Sequence, residues 1–447
     1  MSISIKRRDV LRGGAGLASL VAVGACAAQG GLSRTGRFDW VEQESAIDAA
    51  GRVLIRASIE TLISQNGILG AVTSIARPEA LLWYQAHGAK DYPARTPMPK
   101  DAIFNMMSST KVVTSVAVLQ LMEAGRLSID DPVSRYIPTF RNPRVAVAPE
   151  GWQQAAQDPA QREAIAAQVR IVPAEREITI KDLLTHAAGL SAAYGLGMGP
   201  GSLVNPNVPG SRETTLAARI PQLGALALDF QPGARFGYSP LDGMDTLLHI
   251  VELVSGQDAD TYLRARVFEP LDMVDTYFSV PAEKAARVLT LYGANNGVFT
   301  LSPPLLGTGP TTYFSGGAGL LSTVHDFTNF HLMLLNRGTF NGRRVLRPET
   351  VSLMTTNHVG TMYAEWVPFL SVGMGFGLGV GIVVDPATTV TGRGRGAFGW
   401  GGGYGTEAWV EPELNLVACH FVQNATPQVP GPAPAFARAL REVLGAA

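Results

Sequence analysis

The sequence predicts an α+β fold in which both ends of the chain build one antiparallel sheet, helices cover it, and a mainly helical subdomain is inserted. Two apolar runs near the N-terminus, 68–76 and 80–88, flank a short turn and are typical of a β-hairpin. Between the two ends, apolar residues recur mainly at helical spacing. The last third of the chain holds strand-like runs at 376–384, 396–400, 406–412 and 414–423.

Helices are predicted where apolar residues recur every three or four positions. The predicted helices are 44–65, 112–125, 179–186, 214–227, 241–255, 259–267, 323–337, 347–354 and 432–444. Thr179 is placed to cap its helix, and Gly189 and Gly256 stand where helices end, because glycine adopts the left-handed backbone found there. Long loops commonly shape a binding cleft, and the irregular stretches of this chain are 141–175, 191–212 and 291–313. The first of them holds one helix-like run, 155–169.

The composition is that of a globular protein with ample material for a core. The chain has 447 residues, of which 46% are hydrophobic and 16% charged. This length favours a large domain with an insertion. We assign 44–125 and 315–447 to the sheet-containing part of one domain, 44–447, and 126–314 to its mainly helical insertion. The formal net charge of −1 gives no indication of nucleic-acid binding.

The N-terminus has the pattern of an export signal, residues 1–25, followed by a polar spacer, residues 26–43. Arg7 and Arg8 precede a short apolar run, which is typical of a twin-arginine signal peptide. Cys26 follows a Val-Gly-Ala tripeptide and resembles the lipidated cysteine of a bacterial lipoprotein, which would anchor the mature chain to a membrane. The alternative is ordinary cleavage near this position, which would leave a soluble periplasmic protein.

Metal and cofactor chemistry have no support in the sequence. Cys419 lies in an apolar strand-like run and is predicted to be a packed small side chain. The chain has no H-E-x-x-H and no paired C-x-x-C, and its seven histidines are scattered. Gly394-x-Gly396-x-x-Gly399 matches a dinucleotide fingerprint, but it lacks the strand before it and the helix after it. We therefore predict neither a metal site nor a cofactor.

A candidate nucleophile lies at the start of an apolar helix, where Ser108 and Lys111 form an S-x-x-K tetrapeptide. Residues three apart on a helix lie on the same face. A serine hydroxyl is a poor nucleophile until a neighbouring group takes its proton, and a buried lysine can do so. The helix N-terminus also favours the oxyanion of acyl transfer. Taken alone, the tetrapeptide is more typical of a helix cap followed by a solvated lysine.

Two further motifs supply groups that this chemistry needs. Tyr238 follows a Pro-Gly turn and lies on a loop just before a helix, where its phenol can share a proton with a nearby lysine. The alternative is a tyrosine packed in the core. Trp400, Gly401, Gly402 and Gly403 lie on or beside a predicted strand, whose backbone N–H groups can bind an oxyanion. The alternative is a glycine-rich turn.

The three motifs, in this order and spacing, resemble those of the serine β-lactamase and penicillin-recognising superfamily. The runs 178–190 and 315–323 are typical of its class C branch, and the likeness extends over 46–444. The resemblance implies the β-lactamase/transpeptidase-like form of the α+β fold. It also implies that Ser108 is the nucleophile and that Lys111 is part of the proton-transfer machinery.

The resemblance assigns the remaining site residues as well. Tyr238 would act with the lysine as one coupled proton-transfer pair. The N–H groups of the serine and of Gly403 would form the oxyanion hole. Trp400, with Gly401 and Gly402, would bind the substrate.

Two departures from the family pattern bear on the substrate. Pro240 stands where lactamases and peptidases of this branch usually have asparagine, and Trp400 where they usually have a lysine or histidine for the substrate carboxylate. Both departures resemble the family VIII carboxylesterases and related acyltransferases. Arg393 and Arg395 precede the strand and would restore the missing cation if they reached the site.

We therefore predict an exported serine carboxylesterase that hydrolyses a small-molecule ester through an acyl-enzyme on Ser108. Transfer of the acyl group to another alcohol would follow if the site excludes water. A β-lactamase or D-alanyl-D-alanine carboxypeptidase is the alternative enzyme. A non-catalytic cell-wall ligand binder is the alternative of another class, although a pure binder has no need of Lys111 and Tyr238.

Overall fold

The structure is a computed structural model, which describes residues 37–445 apart from 66, 195–196, 209–213, 296 and 427–432. The predicted export signal and Cys26 lie outside the described residues. Within the described part of the chain, none of the helices has the length and apolar character needed to cross a membrane.

Both ends of the chain contribute to one sheet. The strands are β1 (Gly70–Arg77), β2 (Ala80–Gly88), β3 (Phe104–Asn105), β4 (Arg144–Val147), β5 (Arg170–Pro173), β6 (Ala193–Tyr194), β7 (Gly197–Met198), β8 (Ala227–Leu228), β9 (Tyr292–Asn295), β10 (Val298–Leu301), β11 (Leu321–Ser322), β12 (Thr339–Phe340), β13 (Arg343–Arg344), β14 (Met374–Phe376), β15 (Gly381–Val383), β16 (Phe398–Gly401), β17 (Thr406–Glu411) and β18 (Leu416–Phe421). Seven of them form an antiparallel sheet in the order β14-β15-β16-β17-β18-β1-β2. The N-terminal hairpin joins the C-terminal strands where Val72 pairs with Phe421. The predicted fold class is confirmed.

Helices cover both faces of this sheet. They are α1 (Ala49–Ser64), α2 (Thr110–Glu123), α3 (Trp152–Ala155), α4 (Pro159–Ala166), α5 (Ile180–Leu184), α6 (Leu216–Leu223), α7 (Asp242–Ser255), α8 (Ala259–Leu263), α9 (Val324–Leu335), α10 (Pro348–Met354), α11 (Met362–Trp366), α12 (Pro368–Ser371) and α13 (Ala433–Leu444). Alternation along β17 separates the faces: Ala408 packs with the α2 and α9 core, and Trp409 packs with α1 and α13.

All three segments predicted to be irregular contain short strands. In the described part of 191–212, β6 pairs with β7. In 141–175, β4 pairs with β5 and, in parallel, with the distant β8. In 291–313, β9 and β10 form a hairpin. These strands have only two to four residues, which is too short for an apolar alternation to show in the sequence.

The predicted run 376–384 is two strands, since the chain turns at Gly379, whose φ is +82°. Other boundaries follow the expected capping chemistry. Thr179 and Asp182 form a capping box at the start of α5, and Gly256 ends α7 in the left-handed conformation.

Candidate active site

Ser108 lies in a 3-10 helix, Met107–Ser109, that leads directly into α2. Met107, the residue before it, has a φ of +46°, which is unfavourable for a residue with a side chain. The hydroxyl of Thr406 on β17 donates to the Met106 carbonyl at 3.0 Å, and the Ser109 hydroxyl lies 3.1 Å from the Thr406 carbonyl that accepts from it. The sheet therefore holds this strained turn, and Ser108 remains half-buried at its surface.

Lys111 lies one helical turn after Ser108 and is only 1% exposed. Its Nζ donates to Ser108 Oγ at 3.0 Å, to the Pro240 carbonyl at 2.6 Å and to the Gly317 carbonyl at 2.7 Å. A lysine ammonium has three N–H donors, so these three acceptors fix the amine completely. The solvated lysine of the alternative interpretation is not what the structure shows.

Tyr238 lies on the loop before α7 and contacts Ser108 from there. Its hydroxyl donates to Ser108 Oγ at 2.7 Å and accepts from the Trp400 indole Nε1–H at 3.3 Å. The ring centroid of Tyr238 lies 5.1 Å from Lys111 Nζ. The structure thus brings together the serine, lysine, tyrosine and tryptophan of the three sequence motifs.

His186, to which the sequence analysis gave no role, holds the Tyr238 loop. Its carbonyl accepts from the Gly237 N–H at 2.9 Å, and its Nδ1 accepts from the Ser239 N–H at 3.2 Å. Burial, and next the charge of Lys111, hold the pKa of His186 well below its usual range, so the ring is neutral with its proton on Nε2. The sequence places His186 just after the capped helix α5, but its role in holding the Tyr238 loop depends on contacts that form only in the folded chain.

An aromatic wall stands beside Ser108 and Lys111. Ring centroids are 5.6 Å apart for Tyr238 and Trp400, 5.2 Å for Phe376 and Trp400, and 5.3 Å for Tyr363 and Phe376. Trp366 closes the wall, and its Nε1–H donates to the carbonyl of Ala193 at 3.2 Å. Tyr363 and Trp366, which lie on α11, were not predicted, because that helix is only five residues long.

Two of the motif glycines have different surroundings. A Cβ on Gly402 would lie 2.2 Å from the Met106 carbonyl oxygen, so glycine is required there for β16 to end against the Ser108 turn. A Cβ on Gly403 would meet no atom within 4 Å, and Gly403 is exposed. In the described part of the chain, the N–H groups of Gly403 and Ser108 donate no hydrogen bond. The glycine at position 402 therefore makes room for the protein's own backbone at Met106.

The arginines that the sequence offered as a replacement cation do not reach this centre. Arg393 pairs with Glu407 and lies 4.3 Å from the ring centroid of Trp409. Glu407 and Trp409 alternate with Ala408, so they point to the face of the sheet opposite α2. Arg395 is largely exposed and donates to the carbonyl of Val384.

A cavity of about 600 Å³ lies beside Pro240. Pro240 lines it and also supplies a carbonyl to Lys111. Most of its lining belongs to 191–208, within a loop that the sequence analysis expected to shape the cleft. Apart from Pro240, the remainder consists of two apolar side chains, Leu223 and Leu226, and three charged ones, Arg219, Asp229 and Asp242. The described residues contain no group of three or more His, Cys, Asp or Glu side chains placed to hold a metal ion.

Comparison with known proteins assigns the family. A family model described as Beta-lactamase matches residues 55–442. An uncharacterized protein of Mycobacterium tuberculosis is 35% identical over 313 residues, which are 68% of this chain and 71% of the relative. Esterase EstB of Burkholderia gladioli is 29% identical over 304 residues, 63% of this chain and 69% of the relative.

Solved structures share the fold. EstCE1, described as a hydrolase with promiscuous acyltransferase activity, matches with a TM-score of 0.68 and 23% identity, over 88% of this chain and 100% of the other. Simvastatin synthase (LovD) of Aspergillus terreus matches with a TM-score of 0.68 and 21% identity, over 88% and 98%. Because the family model spans most of the sequence, the chain belongs to the beta-lactamase family and is an enzyme of its serine-hydrolase kind.

Proposed function

We propose that the chain hydrolyses carboxylic esters through an acyl-enzyme on Ser108. One observation carries the proposal: Ser108 Oγ lies 3.0 Å from Lys111 Nζ and 2.7 Å from Tyr238 Oη, at a half-buried position that a substrate can reach. In the first step Oγ bonds to the ester carbonyl carbon, and the alkoxide departs with a proton. In the second step water attacks the acyl-enzyme, the acid leaves, and the proton returns to Ser108.

Lys111 and Tyr238 act as one proton-transfer pair. When the lysine is protonated and donates all three of its N–H bonds, the base is Tyr238 as the phenolate, whose oxygen takes the proton of Ser108. When the lysine is neutral, its lone pair faces Ser108 Oγ instead. The two groups contact the same serine oxygen, so no single formal base is assigned.

The N–H groups of Ser108 and Gly403 are proposed to bind the oxyanion. Both are free of other hydrogen bonds in the described part of the chain, and Gly403 faces open space. Loss of one such donor typically lowers kcat by roughly 10²–10³. Gly402 sets the distance between the two donors, because it packs against the Met106 carbonyl.

The surroundings of the site favour neutral esters over substrates that carry a carboxylate beside the reacting bond. Trp400 occupies the position of the usual cation, and Arg393 is bound on the opposite face of the sheet. The relatives include Esterase EstB of Burkholderia gladioli and Lovastatin esterase of Penicillium rubens, which support an ester substrate. Gly401 and Gly402 complete the strand against which the substrate would lie.

We further propose that the cavity beside Pro240 takes the larger apolar group of the ester. Its volume of about 600 Å³ is within the range that holds drug-sized ligands. A series of p-nitrophenyl esters from acetyl to decanoyl tests this assignment in wild type and in Leu226→Trp, which fills the cavity. The variant should lose turnover of the long esters and keep that of the acetate. An equal loss along the series would contradict the assignment.

The proposed activity is tested with p-nitrophenyl butyrate and nitrocefin on purified protein, with Ser108→Ala as control. Ester turnover that the variant lacks, with little nitrocefin turnover, is expected. Intact-mass measurement should show one butyryl group on wild type and none on Ser108→Ala. Strong nitrocefin turnover would favour the β-lactamase alternative, and butyryl transfer to an added alcohol would show acyl transfer. Ligand binding without any turnover would favour the non-catalytic binder.

Export and lipid attachment at Cys26 are separate proposals that depend on the N-terminal sequence alone. Expression of the full chain with a clickable palmitate analogue should label wild type and not Cys26→Ala. Membrane fractionation distinguishes a lipid-anchored protein from a soluble periplasmic one. If neither wild type nor Cys26→Ala is labelled and the protein is found in the periplasm, ordinary cleavage is indicated.

A further inference from the structure

Asp245 is a buried acid that the proposed mechanism does not use. It lies in the first turn of α7, and its side chain is 0% exposed. Its oxygens accept from the Tyr313 hydroxyl at 2.5 Å, the Ser315 hydroxyl at 2.7 Å and the Gly317 N–H at 2.9 Å. No lysine or arginine of the described residues pairs with it, and burial raises the pKa of the Asp245 carboxyl. Arg219 reaches it only through Tyr313, whose hydroxyl accepts from Arg219 Nη1 at 3.2 Å, so the cost of burying this acid is offset mainly by its own three hydrogen bonds.

Gly317 connects Asp245 to the catalytic lysine. Its N–H donates to Asp245 Oδ1, and its carbonyl accepts from Lys111 Nζ at 2.7 Å. The hydroxyl of Ser315 donates to the same Oδ1 and accepts from the Ala318 N–H at 3.2 Å. One carboxyl oxygen therefore holds both ends of the short segment 315–317, and that segment presents one of the three acceptors of Lys111.

The segment has little freedom to find this position by itself. A Cβ on Gly317 would lie 2.9 Å from the Pro240 carbonyl oxygen, which is the second backbone acceptor of Lys111. On the other side, the Thr114 hydroxyl of α2 donates to the Gly316 carbonyl at 2.9 Å. A shift of 315–317 would thus change both backbone contacts of the lysine, and with them its distance to Ser108.

We propose that Asp245 is a positioning residue for catalysis. Its carboxyl fixes 315–317 so that the Gly317 carbonyl holds Lys111 Nζ within 3.0 Å of Ser108 Oγ. Asp245 touches neither the substrate nor the reacting atoms. The inference depends on the proposed function, because it gives Lys111 a catalytic role.

Two substitutions separate positioning from folding. In Asp245→Asn, the amide oxygen still accepts from Gly317 and Ser315, so the contacts to 315–317 are kept. The Tyr313 hydroxyl, which already accepts from Arg219, loses its acceptor, and this affects stability and not the 315–317 segment. In Asp245→Ala, the acceptor is lost. Asp245→Ala should lower kcat for p-nitrophenyl butyrate by about 10- to 100-fold with KM within about threefold, because a misplacement of about 1 Å costs up to roughly 10²-fold. Asp245→Asn should recover to within about fivefold of wild type.

Asp326→Ala is the matched control. Its carboxyl is also 0% exposed, lies in the first turn of a helix, α9, and accepts from the Asp275 N–H and the Thr276 hydroxyl. It has no hydrogen bond to the catalytic side chains. Asp326→Ala should lower the melting temperature as Asp245→Ala does, with kcat within about twofold of wild type when both are assayed well below their melting temperatures.

Gly317→Ala keeps the experiment decisive if Asp245→Ala does not fold. Its Cβ would push against the Pro240 carbonyl, so the same selective loss of kcat is expected. The rate at which a fluorophosphonate probe modifies Ser108 gives a second readout that needs no ester. Four results would overturn the inference and leave the proposed function intact. They are normal kcat and labelling in a folded Asp245→Ala, an equal loss of kcat in Asp326→Ala, an Asp245→Asn variant as impaired as Asp245→Ala, and normal kcat in Gly317→Ala. Absence of turnover and of labelling in wild type would instead overturn the proposed function and the inference with it.

Discussion

Replacing Trp400 with phenylalanine isolates the one hydrogen bond that the aromatic wall makes to the catalytic pair. The indole Nε1–H donates to Tyr238 Oη at 3.3 Å, which is slightly longer than a typical N–H···O bond. This donor strengthens its contact as negative charge develops on the phenol oxygen when Tyr238 gives its proton to the leaving alkoxide. Phenylalanine keeps ring packing against Phe376 and removes only the N–H and part of the volume.

The magnitude follows from the chemistry of the acceptor. A hydrogen bond to a neutral acceptor contributes about 0.5–1.5 kcal/mol, and one to a charged acceptor about 1.5–3 kcal/mol. The difference gained on the way to the transition state is therefore about 1–2 kcal/mol. Since 1.36 kcal/mol corresponds to a factor of ten, kcat should fall about 5- to 30-fold in Trp400→Phe.

Steady-state kinetics with p-nitrophenyl butyrate measure the effect, and Trp366→Phe is the matched control. Trp366 belongs to the same wall, but its Nε1–H donates to the Ala193 carbonyl. The control therefore repeats the loss of volume without touching Tyr238 Oη. A kcat for Trp400→Phe within about twofold of wild type, or an equal loss in Trp366→Phe, would refute the reasoning.

Three further predictions test the assignments made above. Lys111→Ala and Tyr238→Phe should each lower kcat by about 10²–10⁴-fold with smaller changes in KM, because each removes part of the proton-transfer pair; near-normal turnover in either variant would contradict the mechanism. Arg393→Gln should leave ester and nitrocefin turnover unchanged and lower the melting temperature, because the arginine pairs with a glutamate on the far face of the sheet; altered nitrocefin kinetics would show that it reaches the site. Burial lowers the pKa of His331 and of His420 to about 4, whereas an unfolded histidine titrates near 6.5, so the unfolded state binds more protons in acid. The free energy of unfolding should therefore fall by roughly 3 kcal/mol per histidine between about pH 7 and about pH 4. Urea unfolding across this range measures the change, and a flat profile would refute the neutral burial of these side chains.

The sequence was informative where a pattern is local. Ser108 and Lys111 are three residues apart, so helix geometry alone predicts that they lie on one face, and the successive strand-like runs of the last third predict the sheet. The Pro-Gly turn before Tyr238 likewise predicts a loop tyrosine. In contrast, β9 and β10 were missed because each has only four residues, too few to show a clear alternation, and their pairing is visible only in three dimensions.

The site residues that the sequence did not reveal act through backbone groups. Gly317 contributes a carbonyl to Lys111, and a carbonyl leaves no mark on residue identity. His186 holds the Tyr238 loop through its own carbonyl and one ring nitrogen, contacts that cross about fifty positions of sequence. Such contacts follow from the packing of α2 against α7, which no periodicity specifies.

The departure at position 240 shows why chemistry and recognition can change independently on this fold. Lys111 uses the carbonyl of Pro240, and every residue type provides that carbonyl, so replacing asparagine with proline leaves the acceptor in place. What changes is the side chain, which here is apolar, exposed and part of the cavity lining. The same separation holds at Trp400, which replaces a cation for the substrate and still donates to Tyr238. Substitution of Pro240 by asparagine should therefore alter KM among different esters while kcat for the smallest ester stays within about threefold of wild type. A large loss of kcat with the acetate would mean that the proline ring, and not only its carbonyl, sets the position of Lys111.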